Sequence, residues 1–205
     1  MRIPMIGLVL AAALAAPQMA HAERPRRIVP PPMPADLELS PAEFTPFFVG
    51  HAVGTQGYMC VVTNGAYKWQ PFGPQATLYD GDGNQVATHF LSPEPFTQLP
   101  SATWQHSRDS SEVWAFMIKQ SSDANYVAPD AIPWFLLEAS VVGEGPTGGD
   151  KLMDTERIQR LNTVEGKAPA TGCSAPAHIG QRALVPYEAD YYFYKAKRSR
   201  HSNDD

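Results

Sequence analysis

The feature that most restricts this chain is its punctuation. From residue 47 onward, runs rich in aromatic and β-branched side chains are separated by Gly-Pro, Asn-Gly, Asp-Gly and Ser-Pro pairs. Each pair interrupts a helix for a backbone reason: glycine reaches positive φ cheaply, and proline has no amide hydrogen to donate. The runs at 47–52, 57–63, 67–72, 75–79, 85–91, 112–119, 134–142, 157–163 and 187–194 are therefore expected to be strands. Roughly nine short strands with little helix predict an all-β single domain, either a β-sandwich or a partly closed β-barrel.

Two segments specify more than the rest. In 75–91, two strand-like runs flank Asp80-Gly81-Asp82-Gly83-Asn84, the composition of a tight hairpin. In 112–119, Val113, Ala115 and Met117 alternate with Trp114, Phe116 and Ile118, so both faces are apolar and the strand is expected to be central. The one stretch with any helical character is 150–160. There Leu152, Met153 and Ile158 fit helical spacing poorly, and its second half reads as strand.

The N-terminus has the three parts of a cleavable export signal. Arg2 supplies the positive charge, 3–16 the apolar run, and Ala20 and Ala22 the small residues before a cut ahead of Glu23. The apolar run is short of the roughly 20 residues a spanning helix needs. The expected order is then a signal at 1–22, a Pro-rich extended arm at 23–46, the β domain at 47–194 and a charged disordered tail at 195–205. The arm carries seven prolines, including Pro30-Pro31-Pro32, and proline donates to no helix or sheet ladder. The mature chain is expected to be exported to the periplasm or the extracellular space, with no transmembrane segment, and to be a monomer.

Charge narrows the partners. Between Ile28 and Tyr194 there are 8 basic residues against 18 acidic ones, so the body repels phosphate backbones and nucleic acid is excluded as a partner. What remains is a small molecule or an envelope component. The two cysteines, Cys60 and Cys173, fall in an exported chain and are expected to form a disulfide. Such a bond would tie an early strand to a late loop, and in the chain-entropy picture it stabilises by roughly 4 to 5 kcal/mol.

Chemistry leaves fainter marks. Asp80, Asp82 and Asn84 match the start of a calcium loop, but Gln85 and Leu91 stand where glycine and a bidentate glutamate are required; a hairpin turn is the better reading. His51, His89, His106 and His178 show no zinc-like spacing, and neither metal nor cofactor is expected. A Gly-x-Ser-x-Gly elbow and His-Glu-x-x-His are absent, so nothing positively supports an enzyme. The aromatic side chains are the remaining resource, since flat rings give large contact area at low entropic cost. Trp104, in a loop-like context beside His106, and His89, on the same strand face as Ala87 and Leu91, stand out.

A specific order of short motifs has by now accumulated. It runs Gly57-Tyr58-Met59-Cys60, Trp69, Gly73-Pro74-Gln75-Ala76-Thr77-Leu78, Asp82-Gly83, His89 and Thr103-Trp104. It continues through Ala131-Ile132-Pro133-Trp134-Phe135-Leu136-Leu137, Ile158-Gln159-Arg160-Leu161-Asn162-Thr163, Gly166-Lys167-Ala168-Pro169, Gly172-Cys173, Val185-Pro186-Tyr187 and Tyr191-Tyr192-Phe193-Tyr194. This order resembles the exported bacterial and fungal family known as domain of unknown function 3455, across 54–194. The resemblance implies no activity, and it supports the Cys60–Cys173 pairing because both cysteines fall inside matched motifs. Some fungal members carry a malate dehydrogenase label, but that chemistry needs a glycine-rich strand-to-helix turn that this chain lacks. The segment 90–102 is a longer, proline-containing connection than the family pattern.

The leading expectation is thus a ligand-binding face formed by His89, Trp104 and Trp69. A second is a hydrolase or isomerase in which His89 works with Asp109 or Glu112. A third is a purely structural envelope protein, which would need no cavity of ligand size.

Overall fold

The computed structural model describes residues 27–197; the expected signal at 1–22 and the tail beyond 197 lie outside them. Eight strands follow one another: β1 (Phe44–Thr63), β2 (Ala66–Tyr79), β3 (Gln85–Pro93), β4 (Pro100–His106), β5 (Glu112–Ser121), β6 (Trp134–Gly143), β7 (Arg157–Glu165) and β8 (Arg182–Ala196). Each pairs antiparallel with the next, and β8 returns to β1, so the sheet closes into an up-and-down barrel. Closure removes the edges that a sandwich of short strands would leave unpaired. Among the described residues no helix is long and apolar enough to cross a membrane.

Eight strands rather than nine arise because the expected runs merge and one was hidden. Residues 47–52 and 57–63 belong to the single 20-residue β1, and 67–72 and 75–79 to β2. The joints bend instead of breaking: the ladder shifts register between Gly57 and Tyr58. Gly73 sits opposite at φ 130°, where a Cβ would lie 2.6 Å from the Leu91 side chain, so only glycine fits. Conversely the loop expected around Trp104 is the strand β4, with Trp104 one of its residues. The Pro93 and Pro100 that suggested a connection instead face each other at the last rung of the β3–β4 ladder.

Alternation sorts the side chains. On β8, Tyr187, Ala189, Tyr191 and Phe193 point into the lumen with Phe48, Leu78, Ala87, Trp104, Val113 and Ile158. Tyr192 and Tyr194 point out and are buried by the N-terminal arm. The described part of the expected arm, from residue 27, includes a 3-10 turn at Ala35–Leu37 and is packed rather than free: Leu37 has 0% exposure and its carbonyl accepts from the Gln159 amide at 2.6 Å. An outward apolar stripe on β6, β7 and β8 explains this, because Trp134, Leu136 and Leu161 would otherwise face water. The first residues of the expected tail at 195–205 belong to the fold: β8 runs through Lys195, and the Lys197 amide bonds to the Glu43 carbonyl.

β5 is central only in its first half. Val113, Trp114 and Ala115 are buried, but Phe116, Met117 and Ile118 are 51%, 46% and 38% exposed. The ladder to β4 ends at Ala102 opposite Ala115, while β5 continues with β6 as its one partner. The two strands part, leaving a gap in the wall. The segment 150–160 is turn followed by strand, with no helix.

Candidate functional site

The barrel's lumen differs along its length. At the end carrying the β4–β5 turn, Phe48, Leu78, Val113, Leu152 and Phe193 fill it. Leu152 comes from the β6–β7 loop, which is stapled down by Asp109. That carboxylate accepts from the amides of Asp150, Lys151 and Ser111, the Ser111 hydroxyl and the His106 ring. Burial pushes the Asp109 carboxyl up, but those bonds, the Lys151 amide foremost, outweigh it and hold the group well below the usual carboxylate range.

Toward the opposite end the lumen is open as a cavity of about 430 Å³, whose walls include Tyr58, His89, Trp104, Phe135, Arg160 and Tyr191. This is within the roughly 300–1,000 Å³ range of small-molecule sites. Ala102 and Gln120, from the strands that part, also line it, which sets the gap in the wall beside the cavity.

Strand register builds the site. His89 pairs directly with Trp104 across β3–β4, and their rings stack at 4.0 Å with planes 4° apart. The Tyr191 ring meets both edge-on, at 4.9 and 5.3 Å. Arg160 on β7 lies opposite Phe135 on β6 and opposite Tyr191 on β8. Its guanidinium sits 3.7 Å from the Phe135 ring centre, and its Nε and Nη2 both donate to the Pro133 carbonyl, at 3.2 and 2.7 Å. The Tyr58 hydroxyl donates to the Gly166 carbonyl at 2.7 Å.

The protonation states follow from burial. His89 is pushed down to about 3 by desolvation, partly opposed by its bond to Thr103 and reinforced by the Arg160 charge. It is therefore neutral, with Nδ1–H donated to the Thr103 carbonyl at 2.8 Å, which leaves Nε2 as a lone-pair acceptor. Desolvation raises Tyr58 and Tyr191, with the Arg160 cation opposing it in both. All three tyrosine and histidine groups stay uncharged at neutral pH.

Of the three residues expected to share a face, the structure brings two together. Trp69 does not line the cavity. It stands at the rim, donating to the Thr171 carbonyl at 2.9 Å beside the Cys60–Cys173 disulfide, whose Cα atoms are 5.4 Å apart. Instead of joining His89 and Trp104 in a ligand-binding face, Trp69 on β2 fastens the β7–β8 loop through its bond to Thr171. Nor does His89 gain a carboxylate partner: Asp109 belongs to the filled end, and Glu112 accepts from Gln105 at 2.9 Å. His51 pairs with Asp190, and the His178 ring accepts from the Ser174 amide. Among the described residues no three His, Cys, Asp or Glu side chains converge. Asp80 is occupied by its own turn, accepting from the Asp82 and Asn84 amides.

Arg160 and Tyr191 were not singled out from sequence as site residues. A signal for Arg160 existed: in 157–163 the alternation that puts Ile158 inward puts Arg160 inward too, a cation on an otherwise apolar face.

The family described as protein of unknown function (DUF3455) matches residues 41–195. No curated protein and no solved structure matches the chain.

Proposed function

The chain belongs to the DUF3455 family of proteins of unknown function, and we propose that it is an exported binding protein that holds one small, apolar-bodied molecule inside its barrel. The observation that carries this reading is the cavity: a closed eight-stranded barrel has a lumen that side chains can just fill, yet here only one half is filled. Export is supported by the signal-like N-terminus and by the Cys60–Cys173 bond, which persists in oxidising compartments. Among the described residues His89 hydrogen-bonds to backbone and no carboxylate lines its cavity, which favours binding over hydrolysis or isomerisation.

The test uses the neutral fluorophore N-phenyl-1-naphthylamine with the mature chain. Saturable enhancement, lost in Ala102→Trp, whose side chain would occupy the cavity, is expected. If neither this probe nor any of the acids named below binds, the reading fails.

A further inference from the structure

Arg160 is the least explained group in the molecule. Its side chain is buried, with 7% exposure, and among the described residues it makes no ion pair. Among the described residues no aspartate or glutamate lines the cavity it faces. An isolated buried cation is costly unless something of opposite charge meets it.

What surrounds Arg160 orients it without neutralising it. The Pro133 carbonyl takes two N–H groups, and a guanidinium carries five. The Phe135 ring shields one face. The neighbouring titratable groups, His89, Tyr58, Tyr187 and Tyr191, are all kept neutral by burial, so among the described residues the cavity holds a single uncompensated positive charge, in a chain of net charge −5. Among the described residues, the Trp104 indole N–H in the same wall has no acceptor, and the one hydrogen bond of the His89 ring is made by Nδ1.

We propose that the occupant is a small organic monoanion, a carboxylate on an aromatic or similarly flat apolar body, with Arg160 gripping the carboxylate and the His89, Trp104 and Tyr191 rings enclosing the body. This rests on the cavity being a ligand site. One cation suits one negative charge: a phosphate dianion would retain an uncompensated charge among apolar walls. A guanidinium fork matches the two oxygens of a carboxylate, and flat rings stack on a flat ligand.

The experiment titrates the mature chain with matched pairs, benzoate against benzamide and 2-naphthoate against 2-naphthamide, by calorimetry and tryptophan fluorescence. Inorganic phosphate is the third arm. Each acid is expected to bind about tenfold or more tighter than its amide, with phosphate alone not competing. Arg160→Gln should weaken binding of each acid about tenfold or more and so abolish the preference. If acid and amide bind equally to the unaltered chain, the anion inference is overturned while the cavity reading stands. Should phosphate displace benzoate at equal concentration, the organic body is overturned. Because the acid–amide comparison needs no variant, it decides the matter even if Arg160→Gln does not fold. Failure of every pair and of the neutral probe overturns both readings.

Discussion

Where β4 turns into β5, the lumen is closed by Phe48, Leu78, Val113, Leu152 and Phe193, and a single carboxylate staples two loops over it. Where β5 turns into β6, the same eight strands enclose space, a guanidinium with no ion pair among the described residues and a histidine whose hydrogen bond there is to backbone. The wall strands are the same at both ends. The difference lies in the inward positions, which carry interlocking aliphatic and aromatic groups at one end and flat rings with spare polar atoms at the other. One end is arranged to hold the barrel shut, and the other leaves favourable interactions unmade, as sites that bind something else commonly do.

The disulfide should matter most, because it is the one covalent tie at the open end and it spans 113 residues. Replacing both Cys60 and Cys173 with serine is expected to cost roughly 4 kcal/mol of unfolding free energy on the chain-entropy account, measured by urea denaturation. A loss under about 1 kcal/mol would mean that the open end is held by packing, and the contrast between the ends would weaken. At the filled end, Ile158→Ala removes a fully buried side chain and should cost about 2–5 kcal/mol. A much smaller cost would show that this end too is loosely packed.

Asp109→Asn comes next. It deletes a charge that accepts from three loop amides, a hydroxyl and a ring nitrogen, and a loss of about 2 kcal/mol is expected at pH 7. Because the folded-state pKa is depressed, the carboxylate's stabilisation is complete above its unfolded value near 3.8 and disappears as pH falls toward the lower folded value. The gap between wild type and variant should therefore close below about pH 4. A gap unchanged at low pH would show that the staple does not depend on charge.

His89 gives the open end its own pH signature. Its folded-state pKa is also depressed, from 6.5 to about 3, so below pH 6.5 the unfolded chain binds a proton that the folded chain refuses. Stability then falls with acidity by at most about 1.4 kcal/mol per pH unit for this one group, until the folded pKa is reached. In His89→Phe, which keeps a flat ring against Trp104, the slope between pH 6 and pH 4 should be shallower. An identical slope in both proteins would place the acid sensitivity elsewhere.

How much of this was legible beforehand differs between the two ends as well. The β class and the Asp80–Asn84 hairpin follow from local turn chemistry, and the sulfur pairing from there being two cysteines to pair. The strand count did not, since β1 and β2 bend through glycine at Gly57 and Gly73 where a break was the simpler inference. β4 was hidden by the prolines at its outer end, and the arm's burial depended on an outward stripe of β6–β8 that only the closed sheet assembles. At the site, alternation places His89 inward with Ala87 and Leu91. Nothing local reveals that Trp104 lies opposite it, or that Arg160 lies between Phe135 and Tyr191, because those pairings come from ladders between separate strands.

The smallest expected effect is also the most discriminating. Ile158 and Arg160 occupy successive inward positions of β7, two residues apart, and both are buried. If both were core residues, truncating or replacing either would be costly. Arg160→Met keeps an unbranched chain of similar reach, removes the unpaired charge and leaves the Pro133 carbonyl without its donors. The gain from no longer burying a charge and the loss of about 1–3 kcal/mol for an orphaned acceptor oppose each other, so a change within about 1 kcal/mol of zero is expected, against about 2–5 for Ile158→Ala. Thermal and urea unfolding of the two variants side by side measure it. A cost for Arg160→Met equal to that of Ile158→Ala would make the guanidinium part of the framework, and the boundary between the filled and the open halves of the lumen would have to move past it.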